Sequence, residues 1–191
     1  MKKSKLKNAT NETIKTLIAS LLIAMFTRSA IAESRFIPSE SMLPTLHVDD
    51  RLVVEKLSNY VEIPQRGEII VFYPPFLEKN RDDLYSKVTR ILSMPNHISY
   101  IKRVIGLPGE TISVKDGTVY INGKALEESY IQEKPAYEMK SLKIPENELF
   151  VMGDNRNNSA DSHVWGTLPV KNVVGHAVLK FWPPSRVGSI K

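Results

Sequence analysis

Two dipeptides, Asp116-Gly117 and Asn122-Gly123, constrain this chain more than any other feature, because each sits at the end of a short run of β-branched residues. Asp-Gly and Asn-Gly supply the positive φ angles of two-residue hairpin turns, whose twist matches that of the strands they join. Thr111–Val114 and Thr118–Ile121 flank the first turn, so this region reads as a meander of strands. Arg51–Val54, Glu68–Phe72, Tyr100–Ile105, Leu149–Met152 and Val173–Phe181 are similar runs bounded by turn residues, and they read as further strands. One segment differs. Leu84, Val88, Ile91 and Leu92 recur at helical spacing, which predicts an amphipathic helix over about 81–93, set off as an insertion by Pro74-Pro75 and Pro95-Asn96. The class is mostly β.

A chain of 191 residues can bury a real core within one domain. It has no cysteine, which excludes a disulfide framework, a zinc-thiolate site and a cysteine nucleophile. The net charge of +5 resides in residues 1–32, where Lys2, Lys3, Lys5, Lys7, Lys15 and Arg28 face Glu12 alone. The remaining residues carry 20 basic and 20 acidic side chains, so no basic surface for nucleic acid is expected.

A basic end followed by the apolar run Leu17–Phe26 is a membrane-orientation signal, with the lysines kept cytoplasmic. The run is short for a bilayer crossing, which takes ~20 residues, but Lys15 and Arg28 can reach toward the headgroups. Ala30-Ile31-Ala32 also has the small-x-small form of a signal-peptide cleavage site, so an anchor and a cleaved leader both remain open. Either one delivers the rest of the chain across the membrane.

Three segments have the residue types of hydrolytic chemistry. In Arg35-Phe36-Ile37-Pro38-Ser39-Glu40-Ser41-Met42-Leu43-Pro44-Thr45-Leu46, prolines fix the backbone on both sides of two serines, the kind of rigid mount that a nucleophile needs. In Tyr100-Ile101-Lys102-Arg103-Val104-Ile105-Gly106-Leu107-Pro108-Gly109-Glu110, strand alternation points Lys102 and Arg103 to opposite faces, so one of them must face inward. A buried lysine loses its proton more readily, and a neutral amine beside a serine is a competent general base. The third segment, Met152-Gly153-Asp154-Asn155-Arg156-Asn157-Asn158-Ser159-Ala160-Asp161-Ser162-His163-Val164-Trp165-Gly166, has the composition of a hydrogen-bonded loop but lacks the closing glutamate of a calcium loop. Gly117 to Gly123-Lys124 has the wrong spacing for a phosphate loop.

Together with Asp50-Arg51-Leu52-Val53-Val54-Glu55-Lys56 and the tail Phe181-Trp182-Pro183, these segments resemble, in order, the sequence blocks of type I signal peptidases. The resemblance implies an antiparallel β catalytic core with a smaller β excursion, here about 112–146, preceded by one N-terminal transmembrane helix. The expected organisation is a cytoplasmic N-terminus over 1–12, an anchor over 13–32 and an extracytoplasmic peptidase domain over 33–191. Ser41 would be the nucleophile and Lys102 the general base, with Ser41 N–H and the Ser39 hydroxyl forming the oxyanion hole. Ser159 would orient the lysine, while Asp161 and Arg156 brace the loop. Ile37, Leu46, Tyr100 and Ile101 match substrate-pocket positions that accept small side chains one and three residues before the cut. Asn157 stands where the better-known bacterial pattern has an aspartate and His163 where it has an arginine; both resemble the cyanobacterial and plastid thylakoid-processing branch. These departures leave the partner of Asp161 open.

The implied function is removal of signal peptides from exported preproteins. The implied partners are such preproteins, the lipid bilayer and the secretion machinery, and the setting is a cell or thylakoid membrane crossed once. No cofactor or metal is expected, and His47, His97, His163 and His176 have no metal-ligand spacing. Ser41 lies nine residues after Ala32, which an extended chain spans in at most about 30 Å, so the site would sit near the bilayer and an anchor fits better than a cleaved leader. Competing readings are a Ser-His-Asp triad using Ser41 or Ser162, another Ser/Lys hydrolase such as a self-cleaving repressor, and a non-catalytic, membrane-tethered peptide-binding module of the same fold.

Overall fold

The computed structural model describes residues 2–80 and 98–190, and the helix expected over 81–93 lies outside the described residues. Twelve strands form two antiparallel sheets among them. The larger sheet contains β1 (Ala32–Phe36), β2 (Arg51–Glu55), β3 (Ile69–Phe72), β4 (Tyr100–Gly106), β9 (Glu148–Met152), β10 (Leu168–Pro169), β11 (Val173–Trp182) and β12 (Gly188–Ser189). Its order is β1-β2-β11-β3-β4-β9-β10, with β12 on β11. The smaller sheet, ordered β7-β6-β5-β8, contains β5 (Thr111–Lys115), β6 (Thr118–Ile121), β7 (Lys124–Ala125) and β8 (Met139–Lys143).

The hairpin signals are realised. Asp116 and Gly117 have φ of 49° and 69°, and Asn122 and Gly123 have 50° and 78°, so both central residues of each turn are left-handed. The seven predicted strands all form. Five further strands are not predicted: β1, β8 and the two-residue β7, β10 and β12. β1 is polar at Glu33, Ser34 and Arg35, and it pairs Ala32 with Glu55 in the β1–β2 ladder. β8 is an outer strand of the smaller sheet with exposed Lys140, Ser141, Leu142 and Lys143, so it shows little hydrophobic alternation.

Three buried clusters hold the sheets. Ile105, Phe150 and Met152 of the large sheet meet Ile112, Val114, Val119 and Ile121 of the small one. Ile70, Phe72, Val104, Leu149 and Val151 form a second cluster, and Ile37, Met42, Leu46, Leu52 and Ile69 a third. Each full burial of such a side chain contributes about 1.5–3 kcal/mol. The first cluster buries the central strands β4 and β9 on the face that would otherwise meet water.

The N-terminal segment departs from expectation. Helix α1 runs over Lys2–Phe26 and passes through a wider π-type turn at Thr27–Ile31 directly into β1. Ala32, placed at the end of the anchor by the sequence reading, is therefore the first strand residue. Among the described residues no helix is long and apolar enough to cross a membrane, because polar Thr10, Asn11, Glu12, Thr13 and Lys15 occupy the turns before Leu17. Leu17, Ile18, Leu21, Leu22 and Ile23 are all exposed.

Candidate active site

The β1–β2 connection holds Ser41 on a closed loop. Ile37 and Asp50 pin its neck, with Ile37 N–H donating to Asp50 O at 3.0 Å and Asp49 N–H to Ile37 O at 3.0 Å. Inside it, Leu43 N–H donates to Glu40 O and Leu46 N–H to Met42 O, and the fully buried Met42 and Leu46 plug this turn into the third cluster. From across the site, Asn155 N–H donates to Ser41 O at 3.1 Å and the Thr45 hydroxyl to Asp154 Oδ2 at 2.5 Å. The serine is fixed on both sides.

β4 carries Lys102. Its register against β3 pairs Lys102 with Ile70 and directs the lysine to the face shared with Tyr100 and Val104. Lys102 Nζ lies 2.7 Å from Ser41 Oγ and donates to Ile101 O at 3.0 Å. The residue is 4% exposed. Burial pushes its pKa down to about 8, against the opposing pull of the Asp161 and Asp154 carboxylates. Near that pH much of the amine is neutral and can accept a proton. Ser39 Oγ stands 3.4 Å from Ser41 Oγ, which leaves a second hydroxyl beside it.

Both neighbours on β4 are buried, not one: Arg103 is 1% exposed. Its guanidinium forms a two-bond pair with Asp154, Nε to Oδ1 at 2.9 Å and Nη2 to Oδ2 at 2.7 Å, and Nη1 donates to Gly67 O at 2.6 Å. Alternation separates the two side chains, and both faces are covered: the Tyr130 ring, from the connection after β7, lies over Arg103 at 4.0 Å.

The loop after β9 carries the remaining polar residues. Asp161 caps the short helix α2 (Ser162–Trp165), accepting His163 N–H at 3.2 Å, and its Oδ1 lies 2.7 Å from His163 Nδ1. Its other oxygen accepts Gly153 N–H at 2.8 Å. His163 is thus the partner of Asp161 that the sequence left open. Arg156 does brace this loop, donating from Nε to Gly153 O at 3.1 Å, but its carboxylate partner is Glu128, at 2.7 and 2.5 Å. Ser159 Oγ is buried without a hydrogen-bond partner among the described residues, so it does not reach Lys102 here. A Cβ on Gly153 would collide with both Ser159 Oγ and Ser41 O, so only glycine fits between them. Ser162 Oγ accepts Val151 N–H at 3.0 Å, and its side chain serves the strand end.

A cleft of about 460 Å³ opens over the Ser41–Lys102 pair, lined by Pro38, Ser39, Tyr100, Ile101 and Ala160 among others. Two of the four expected pocket residues, Tyr100 and Ile101, therefore face it. Ile37 and Leu46 are packed into the third cluster at 2% and 0% exposure and lie off the cleft lining.

A family profile described as "Signal peptidase, peptidase S26" matches residues 10–182. The chain belongs to this family. It is 49% identical over 179 residues to a signal peptidase I of Leptolyngbya laminosa, covering 94% of this chain and 83% of that protein. It is 48% identical over 180 residues to a probable signal peptidase I-1 of Synechocystis, covering 94% and 86%. A probable thylakoidal processing peptidase 2 of Arabidopsis thaliana is 39% identical over 188 residues, 98% of this chain and 48% of that longer protein. The chain is thus a serine peptidase of the signal peptidase I family, with relatives in the cyanobacterial and thylakoidal branch.

Sequence reasoning missed three side chains of this S26 peptidase near the catalytic loop: Glu128, Tyr130 and Tyr137. All come from the connection between β7 and β8, which has neither strand alternation nor a recognisable motif. The available signal was indirect. Arg156, once buried, needs a carboxylate partner, and a residue outside the motif segments supplies it.

Proposed function

We infer that the chain is a membrane-attached signal peptidase that cuts exported preproteins with Ser41 as nucleophile and Lys102 as general base. The observation carrying this reading is the 2.7 Å contact between Lys102 Nζ and Ser41 Oγ, two buried groups on separately braced segments. The neutral amine takes the hydroxyl proton as Oγ attacks the scissile carbonyl carbon. Ser41 N–H and the Ser39 hydroxyl donate to the oxyanion that develops. The resulting ammonium returns the proton to the leaving amine, and the same amine then activates a water that hydrolyses the acyl ester. Arg156 and Asp161 brace the loop and do not react.

Substrate enters as an extended segment along the cleft, with small side chains one and three residues before the cut facing Tyr100 and Ile101. The exposed apolar residues Leu17 to Ile23 of α1, preceded by lysines, support attachment to the bilayer with the N-terminus on the cytoplasmic side. β1 follows that helix after five residues, which supports a cleft close to the membrane surface, where a leader's cleavage region emerges.

The test is cleavage of a preprotein with an Ala-x-Ala site by full-length wild type, Ser41→Ala and Lys102→Ala in detergent, with the product's new N-terminus sequenced. Cutting after the Ala-x-Ala site by wild type alone is expected. Equal cutting by either variant overturns the assignment of that residue. Flotation with liposomes, lost when Leu17, Leu21 and Leu22 are made polar, tests the attachment.

A further inference from the structure

The connection between β7 and β8, residues 126–138, crosses the back of the catalytic loop, and it touches that loop through several side chains. Glu128 takes both terminal nitrogens of Arg156. The Tyr130 hydroxyl donates to Glu128 Oε1 at 2.7 Å, and its ring lies 4.0 Å from the guanidinium carbon of Arg103. Asn157 is clasped by backbone, accepting Ala136 N–H at 2.8 Å and donating to Lys134 O at 3.1 Å. Tyr137 stacks on His163 with ring centroids 4.2 Å apart and planes 11° apart.

The two tyrosines share one relation to the site. Arg103, under Tyr130, is the partner of Asp154; His163, under Tyr137, is the partner of Asp161. Asp154 and Asp161 are the two carboxylates whose charge opposes deprotonation of Lys102. Other charged groups around this centre are Arg156 and Glu128, which bind each other. One strap therefore holds both groups that occupy the carboxylates facing the base. The mechanical link is as short, since Asp161 also holds Gly153, against which Ser41 O rests.

We propose that Tyr130 and Tyr137 are positioning residues for the peptidase reaction, holding Arg103 and His163 on Asp154 and Asp161 so that Ser41 and Lys102 stay aligned. This inference rests on the reading of Lys102 as general base. Neither tyrosine touches the cleft, and their rings also pack against the first hydrophobic cluster, so a structural role must be separated from a positioning one. The aromatic face is what matters: an Arg guanidinium or an imidazole on a ring loses its platform when the ring becomes aliphatic. A loosened partner leaves each carboxylate free to hold the proton on Lys102 more strongly.

The experiment compares full-length Tyr130→Leu, Tyr137→Leu and both Phe variants by steady-state cleavage of the Ala-x-Ala preprotein across pH 6–10, with folding followed by thermal melting. Tyr137→Phe should match wild type, because the Tyr137 hydroxyl has no hydrogen-bond partner among the described residues. Each Leu variant should lower kcat about tenfold with KM unchanged, and shift the midpoint of the kcat/KM profile upward by about half a unit. The Phe variants should restore both. If the Leu variants melt earlier yet keep the wild-type kcat and midpoint while folded, the tyrosines are structural only and the proposal falls. It falls equally if Phe fails to rescue. Activity retained by Lys102→Ala would instead overturn the general-base reading itself, which separates the two failures.

Discussion

Arg103 and Asp154 meet through two hydrogen bonds one strand position away from Lys102, and both side chains are essentially sealed from solvent at 2% and 0% exposure. A one-residue slip of β4 would exchange Lys102 with Arg103 and turn the lysine away from Ser41. The ion pair couples β4 to the loop after β9 and so fixes that register. The adjacent bulge between Val104 and Gly106 shows that this ladder departs from regular pairing nearby.

Removing one member of this pair should therefore be far worse than removing both. Asp154→Ala leaves Arg103 charged and buried, with an expected loss of about 3–5 kcal/mol in urea unfolding. Arg103→Met combined with Asp154→Leu should recover most of that loss. It should not recover activity, because the register device is then gone. A double variant as unstable as Asp154→Ala would mean that the pair contributes packing that methionine and leucine cannot replace.

The proposed role of Lys102 as general base sets an expected pH profile for the peptidase. A base works only when neutral, so kcat/KM should rise through a midpoint of about 8 and level above it. Asp154 and Asp161 oppose the depression of this pKa, so weakening Asp161 by Asp161→Asn should lower the midpoint in whatever activity remains. A midpoint near that of an ordinary lysine, ~10.4, would show that burial does not depress the pKa of this amine.

The same depression predicts a stability cost. The folded-state pKa of Lys102 lies below its unfolded value, so between about 8 and ~10.4 the unfolded chain binds more protons and stability rises with pH. Below about 8 the penalty is present in full. Lys102→Met should thus stabilise the fold at pH 7 by about 1–3 kcal/mol, less than the full penalty because the bonds to Ser41 and Ile101 are lost. It should also abolish cleavage and flatten the rise in stability between pH 8 and 9.5. Unfolding in urea at both pH values reads this directly. A less stable variant at pH 7 would mean that the two hydrogen bonds outweigh the desolvation.

How far the sequence reaches is instructive at particular residues. Ser41 and Lys102 stand out in the sequence because their segments together resemble the family's blocks; the proline-bounded turn and the β-branched strand alone fit an ordinary turn and a surface lysine equally well. The turns at Asp116-Gly117 and Asn122-Gly123 were legible because positive φ selects for those residues. Glu128 was not legible: its role exists only because Arg156 is buried 28 positions away, and nothing near Glu128 encodes that. The burial of Arg103 was not legible for a related reason. Alternation assigns a face, but what covers the face is a tertiary fact. β1 was lost to the apolar residues before it, and the N-terminal helix was drawn by its apolar run rather than by its polar turns. Ile37 and Leu46 carried a family-derived substrate role, yet here they are core residues that shape the loop from beneath.

Gly153 gives the most local test of how closely the site is built. Its φ is not in the left-handed region, so alanine there strains no backbone angle, and any effect comes from the added Cβ. That Cβ would press on Ser159 Oγ and on Ser41 O, and the second of these is backbone belonging to the proposed nucleophile. Ser159 Oγ has no hydrogen bond to lose among the described residues, but rotating it leaves the Ser159 Cβ 2.7 Å away; the Ser41 carbonyl, held by Asn155 N–H, cannot move without carrying Ser41 along. Gly153→Ala should cost about 1–3 kcal/mol in stability. Its effect on kcat should be disproportionate, roughly 100-fold or more, because a displacement of about 1 Å at a nucleophile is enough for that. Pairing it with Ser159→Gly relieves the side-chain collision alone and should restore stability more than activity. Full recovery of kcat in that double variant would assign the defect to Ser159 and leave the Ser41 backbone unaffected.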